Sequence, residues 1–141
     1  MEKKNRTIWG TRIKSKTSSI FQKVSSSIDT DKRLFKEDIL ASIAHVEMLN
    51  RQKIINFKVK NKIIWGLKKI QNQIIKKKYI FDYKDEDIHM SIEKKLFELI
   101  GEDAGYIHTA RSRNDQVLVD FKIWMINSND KLIKLLDQTI N

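Results

Sequence analysis

The sequence predicts an all-α protein. Three observations carry that reading. Apolar residues recur at spacings of three and four over long stretches, the 141 residues contain no proline and four glycines, and neither Asn-Gly nor Asp-Gly occurs to signal a hairpin. Residues 1–19 lack a clear period, apart from a turn at Trp9-Gly10-Thr11-Arg12. A short helix is expected from Ser18 to Val24, running into the hydroxyl-rich loop Ser25-Ser26-Ser27. The next helix is expected over 31–51, capped by Asp29 and Asp31. Its stripe is Phe35, Ile39, Ile43, Val46 and Leu49. His45, beside that stripe, reads as a packed, hydrogen-bonded residue.

A second helix is expected over 56–78, burying Val59, Ile63, Leu67, Ile70 and Ile74, with Trp65 and Ile75 beside them. Gly66 inside it costs about 1 kcal/mol against alanine. Lys76-Lys77-Lys78 would end it at the negative pole of the helix dipole. Tyr79-Ile80-Phe81 forms an apolar connector. The acids Asp82, Asp85, Glu86 and Asp87 then precede a third helix over 88–100, with Ile88, Ile92, Leu96 and Leu99 as its stripe and Gly101 as C-cap. His89 falls in its first turn next to Asp87, and a carboxylate beside an imidazole favours the charged form.

The stretch from Gly105 to Gln116 is polar and charged, and a last helix is expected from about 115 to the terminus. Asn114 and Asp115 are suitable caps, so orphan backbone N–H groups should gather beside the forks of Arg111 and Arg113. Together these make a candidate anion site. Val117, Phe121, Trp124, Met125, Ser128, Leu132, Leu135 and Thr139 share one side of that helix. No other long helix follows to cover them, so the chain reads as the beginning of a larger bundle.

Composition narrows the chemistry. No cysteine is present, which excludes disulfides and thiolate metal sites. His89 and His108 lack ligand spacing within one helix, so no metal is expected. A net charge of +10 allows nucleic-acid or anionic-membrane binding. The lysines, however, are spread over several polar faces, and Phe35, Trp65, Phe121 and Trp124 fall on or beside apolar ones. A solvated basic surface is therefore favoured, with no nucleic acid and no membrane as partners. With no signal peptide and no bilayer-length apolar run, the expected location is cytoplasmic.

The nine residues His108–Gln116, HTARSRNDQ, resemble the signature of the argininosuccinate lyase family, within the fumarase/aspartase superfamily. Ser26–Asp29, Asp31–Ile39, Ser42–His45 and Asp85–Glu93 resemble that family's amino-terminal region in the same order. The resemblance runs from about Ile8 to the end and covers about the first third of a family member. It implies residues 1–112 as an amino-terminal helical domain and 113–141 as the start of a central helical bundle. It further implies β-elimination of argininosuccinate to arginine and fumarate, a homotetramer whose active sites combine several subunits, and no cofactor. Ser27, Asp87, His89, Thr109, Arg111, Ser112, Arg113 and Asn114 match substrate-binding positions. The family's general acid/base histidine and catalytic serine lie further along, so this chain is expected to bind without turning over. Thr11 departs from the family's second glycine after the tryptophan. The alternatives are a basic helical nucleic-acid-binding module, another enzyme of the superfamily, or a non-enzymatic relative.

Overall fold

The computed structural model of the chain describes Ile20 and residues 24–140, and every regular element among them is helical. The expectations for the turn at Thr11 and for most of the 18–24 helix lie outside these residues. Four long helices follow in order: α1 (Phe35–Arg51), α2 (Phe57–Ile75), α3 (Ile88–Ile100) and α4 (Arg113–Ile140). A single α-turn, Ile28–Asp31, and a 3-10 turn, Lys32–Leu34, lead into α1. The helix expected from 31 is thus regular only from Phe35.

The caps of that segment differ from expectation. Neither Asp29 nor Asp31 caps it. Asp29 pairs with Lys32, while the Asp31 Oδ1 accepts the backbone N–H of Ile88 at 3.1 Å. The carboxylate therefore satisfies an orphan donor at the start of α3, 57 residues away, where the helix dipole favours it.

Helices α1 and α2 end in the same way. Lys53 has φ 59 and Lys77 has φ 54, both in the left-handed region. Lys53 N–H donates to Asn50 O and Ile54 N–H to Leu49 O; Lys77 N–H donates to Ile74 O and Lys78 N–H to Gln73 O. Each is a Schellman closure with lysine where glycine is usual. This ends α2 at Ile75, so Lys76, Lys77 and Lys78 stand beyond the helix rather than in its last turn. The start of α2 is capped by Asn56, whose Oδ1 accepts Val59 N–H at 2.9 Å. Asn56→Ala is expected to destabilise the chain by about 1 kcal/mol, read from the urea midpoint at unchanged slope.

The core joins Ile39, Val46 and Leu49 of α1 to Ile63, Leu67 and Ile70 of α2 and Ile88, Ile92, Leu96 and Ile100 of α3. Ala104 and Ile107, from the 3-10 segment Gly101–His108, close one end. Gly66 has a packing reason that the sequence did not supply. A Cβ there would lie 2.5 Å from Leu96 Cδ1 and 3.3 Å from Ile100 Cγ2, so its missing side chain sets the approach of α2 to α3. Trp65 and Ile75, expected beside the buried face, are more than half exposed. The Lys69 ammonium lies 4.7 Å over the Trp65 ring, and Lys60 lies 4.2 Å over exposed Phe57.

Helix α4 has 28 residues, a length of about 42 Å at 1.5 Å per residue. Its start packs on α1, and its buried residues are the polar Gln116 and Asp120. Val117, Phe121, Trp124, Met125, Leu132 and Leu135, expected as a bundle seam, face outward. No helix among the described residues is long and apolar enough to cross a membrane.

Candidate functional site

Two helix starts meet in space and bring most of the candidate residues together. At the first, Asp87 is extended (φ −149, ψ 173) and its Oδ1 accepts Met90 N–H at 2.7 Å. That leaves Oδ2 free to turn toward α4, where it lies 3.3 Å from Arg113 Nε. At the second, the cap is Ser112 rather than the expected Asn114 or Asp115. Ser112 Oγ accepts Asp115 N–H, and the Asp115 carboxylate accepts Ser112 N–H at 2.8 Å, a capping box with Asp as the acid. These donors hold the Asp115 carboxyl below its ordinary range, the Ser112 N–H first and the Ser112 hydroxyl next. The helix consequently starts at Arg113, two residues before the expected position, and Arg113 stands in its first turn.

Arg113 is spread over three neighbours. Besides Asp87, it donates to Gln116 Oε1 at 3.2 Å and lies 3.6 Å from Glu93 Oε2. Glu93 also pairs with His108 Nε2 at 2.7 Å. Burial would raise the Glu93 carboxyl, but the His108 hydrogen bond and the charges of His108 and Arg113 outweigh it and hold the group low. Ser27 joins from the other side. Its N–H donates to Glu86 O at 2.8 Å and its hydroxyl to Asp31 Oδ2 at 2.6 Å. A continuous polar seam therefore runs from Ser27 through Asp31, the start of α3, Asp87 and Arg113 to Glu93 and His108. Asn114 is exposed beside Arg113 at the mouth of α4.

His89 lies behind this seam rather than on it. It is 4% exposed, and its Nδ1 is 2.8 Å from Asp38 Oδ1 and 3.5 Å from Asp120 Oδ2. Burial works against the imidazolium, but the Asp38 hydrogen bond and the charges of Asp38, Asp87 and Asp120 prevail and raise its pKa. Asp120 is wholly buried, and burial first, then the Asp38 charge, push its carboxyl up to about 8. Among the described residues, these three bring one donor atom each within 4.8 Å of one another.

Arg111 is turned inward, and Thr109 is tied to α1 through its backbone. The Arg111 guanidinium donates to Ser42 Oγ and Ile107 O, at 3.2 and 3.1 Å, and its Nε is buried without a partner among the described residues. Thr109 offers its carbonyl to His45 Nε2 at 3.0 Å. Burial, then the Arg111 charge, lower the His45 pKa and favour the neutral ring that donates here. Asp31, Asp38, Glu93 and Asp120 were not among the sequence candidates. Asp31, Asp38 and Glu93 lie within the stretches Asp31–Ile39 and Asp85–Glu93 that carry the resemblance, and Asp120 stands as the one acid between Val117-Leu118-Val119 and Phe121. An open hollow of about 320 Å³ lined by Gln73, Lys78, Tyr79, Asp82, Lys94 and Glu98 contains none of the candidates.

The seam thus gathers Arg113, several acids and two helix starts on an all-helical scaffold. The chain belongs to the lyase family, whose model matches residues 11–141. Within that family it corresponds to the amino-terminal portion of argininosuccinate lyases. It is 62% identical over 138 residues to the argininosuccinate lyase of Pelagibacter ubique (strain HTCC1062), covering 98% of this chain and 30% of that protein. It is 50% identical over 131 residues to that of Ehrlichia chaffeensis (strain Arkansas), covering 93% of this chain and 28% of that protein. It is 45% identical over 134 residues to that of Campylobacter jejuni (strain RM1221), covering 94% and 29%. The chain thus spans under a third of the length of these relatives.

Proposed function

We propose that this chain supplies part of the substrate site of an argininosuccinate lyase, which splits argininosuccinate into arginine and fumarate. The observation that carries the reading is Arg113 in the first turn of α4, held against the Asp87 cap of α3. In the elimination, a base removes a proton next to a carboxylate while an acid assists departure of the guanidino nitrogen. The aci-carboxylate formed on the way carries added negative charge. Arg113, Asn114, Ser27 and the amides near 112–115 are the donors available for it. Thr109 and Ser112 add hydroxyls, and Arg111 braces the loop through Ser42 and Ile107. Asp87 and Glu93 offer carboxylates to the cationic guanidinium end and hold the Arg113 fork meanwhile.

The proton-transferring histidine and serine that the resemblance implies belong to later parts of the family's chains. The chemistry proposed needs no metal or organic cofactor. We take 1–112 as the amino-terminal domain and 113–141 as the opening of a central bundle, in a cytoplasmic homotetramer that covers the outward seam of α4.

A chimera tests this. Residues 11–141 replace the matching segment of the Pelagibacter ubique relative, and fumarate release is followed by absorbance. Turnover close to that of the parent is expected, with none from the 141-residue chain alone. A folded chimera without turnover, or a chain that shifts DNA in a salt-sensitive manner, would overturn the reading.

A further inference from the structure

We propose that Asp120 is a positioning residue held as a neutral carboxylic acid. It donates its proton to Asp38, so that Asp38 in turn fixes a charged His89 behind the seam. The geometry leads there. Asp120 is fully buried, and neither of its oxygens has a hydrogen-bond donor among the described residues. An ionised carboxylate so placed would have only the charges of His89, 3.5 Å away, and of Arg111 to set against its desolvation penalty, and no hydrogen bond. A protonated one needs only an acceptor, and the Asp38 carboxylate, which converges with it to within 4.8 Å, is the one proposed. Asp38 Oδ1 already takes His89 Nδ1–H at 2.8 Å and has the Gln116 amide at 3.5 Å.

The charged groups around Asp120 agree with this assignment. From α1 comes Asp38, an anion that opposes a second negative charge. From α3 comes His89, which satisfies one carboxylate and not two, with Asp87 beyond it. From the turn before α4 comes Arg111, whose charge favours ionisation and so opposes the burial and the Asp38 charge. Asp38, His89 and Asp120 come from α1, α3 and α4, so the shared proton ties together the helices that carry both ends of the seam.

The assignment fixes a pH dependence. Asp120 binds its proton up to about 8 in the folded chain, against an ordinary value of 3.8. Between those values the folded chain holds a proton that the unfolded chain has lost, so stability falls as pH rises and this contribution is gone above about 8. His89, raised above its ordinary 6.5, acts in the same direction. Its contribution is complete below 6.5 and is lost as pH rises through the folded value.

The test uses the 141-residue chain with carboxyl-¹³C aspartate and ¹⁵N histidine. The Asp120 carboxyl carbon should titrate near pH 8, and the His89 ring should titrate above its ordinary 6.5. Asp120→Asn, whose amide keeps a donor toward Asp38, should melt within a few degrees of wild type at pH 6 and above it at pH 9. Asp120→Ala should melt well below wild type at pH 6. An Asp120 titration in the ordinary acid range overturns the proposal, and this readout needs no variant to fold. So does an Asp120→Asn variant as unstable as Asp120→Ala at pH 6. Uptake of one Zn²⁺ with loss of the His89 proton would also overturn it, by making the cluster a cation site. The bearing on substrate, a cation lent to the dicarboxylate side, rests on the proposed function. Failure of that function would appear in the chimera and leave these titrations unchanged.

Discussion

Gly66→Leu is expected to leave the chain unfolded, with its helical circular dichroism lost at room temperature. The first added carbon alone would stand 2.5 Å from Leu96 Cδ1 and 3.3 Å from Ile100 Cγ2, both in the core. Leu96 has no solvent to swing into, because it is fully buried between α2 and α3. A Cβ costs about 1–3 kcal/mol if the neighbours shift, and a helix interior returns about 1 kcal/mol when glycine is replaced. Gly66→Ala should therefore lose about 0–2 kcal/mol and still melt cooperatively. Leucine adds three further carbons where one does not fit, and the close approach of α2 to α3 fails. A leucine variant melting within a few degrees of wild type would show that the two helices separate more easily than this packing allows.

Arg113→Ala in the chimera is expected to lower fumarate release by about 100-fold or more, the usual cost of removing a donor aimed at developing negative charge. Its melting temperature should change little, because ion pairs that keep contact with solvent contribute little to stability. Arg113→Lys restores the charge without the planar fork and should recover only part of the loss. Unchanged release from Arg113→Ala would remove Arg113 from the site and reduce its contact with Asp87 to a helix-capping detail.

The regular parts of the molecule were legible because helical spacing is a local property. Helix α3 spans 88–100 as expected, with Gly101 at φ 72, and of the four acids ahead of it Asp87 is the cap. The α2 stripe packs as expected through Ile63, Leu67 and Ile70. Helix ends were less legible. Lys53 and Lys77 adopt the backbone form that glycine usually marks, and Ser112 takes the cap because Asp115 three residues on reaches back to it. The candidate site divided for a similar reason. Residue types indicated anion chemistry around Arg111 and Arg113, but they could not say that Arg111 would turn inward to Ser42 while Arg113 turned toward Asp87.

By itself the sequence determined the helical class, the stripes that make the core, the acids ahead of α3 from which its cap is drawn, and the kinship carried by His108–Gln116. Those are properties of short windows and of residue identity. Tertiary structure alone decided that Asp31 serves α3 rather than its own helix, that Gly66 sets the distance between two helices, and that Asp38, His89 and Asp120 close into one buried cluster. Each of these depends on which distant segment the chain brings alongside, and hydrogen bonds and steric contacts across 30 to 82 residues leave no period in the sequence.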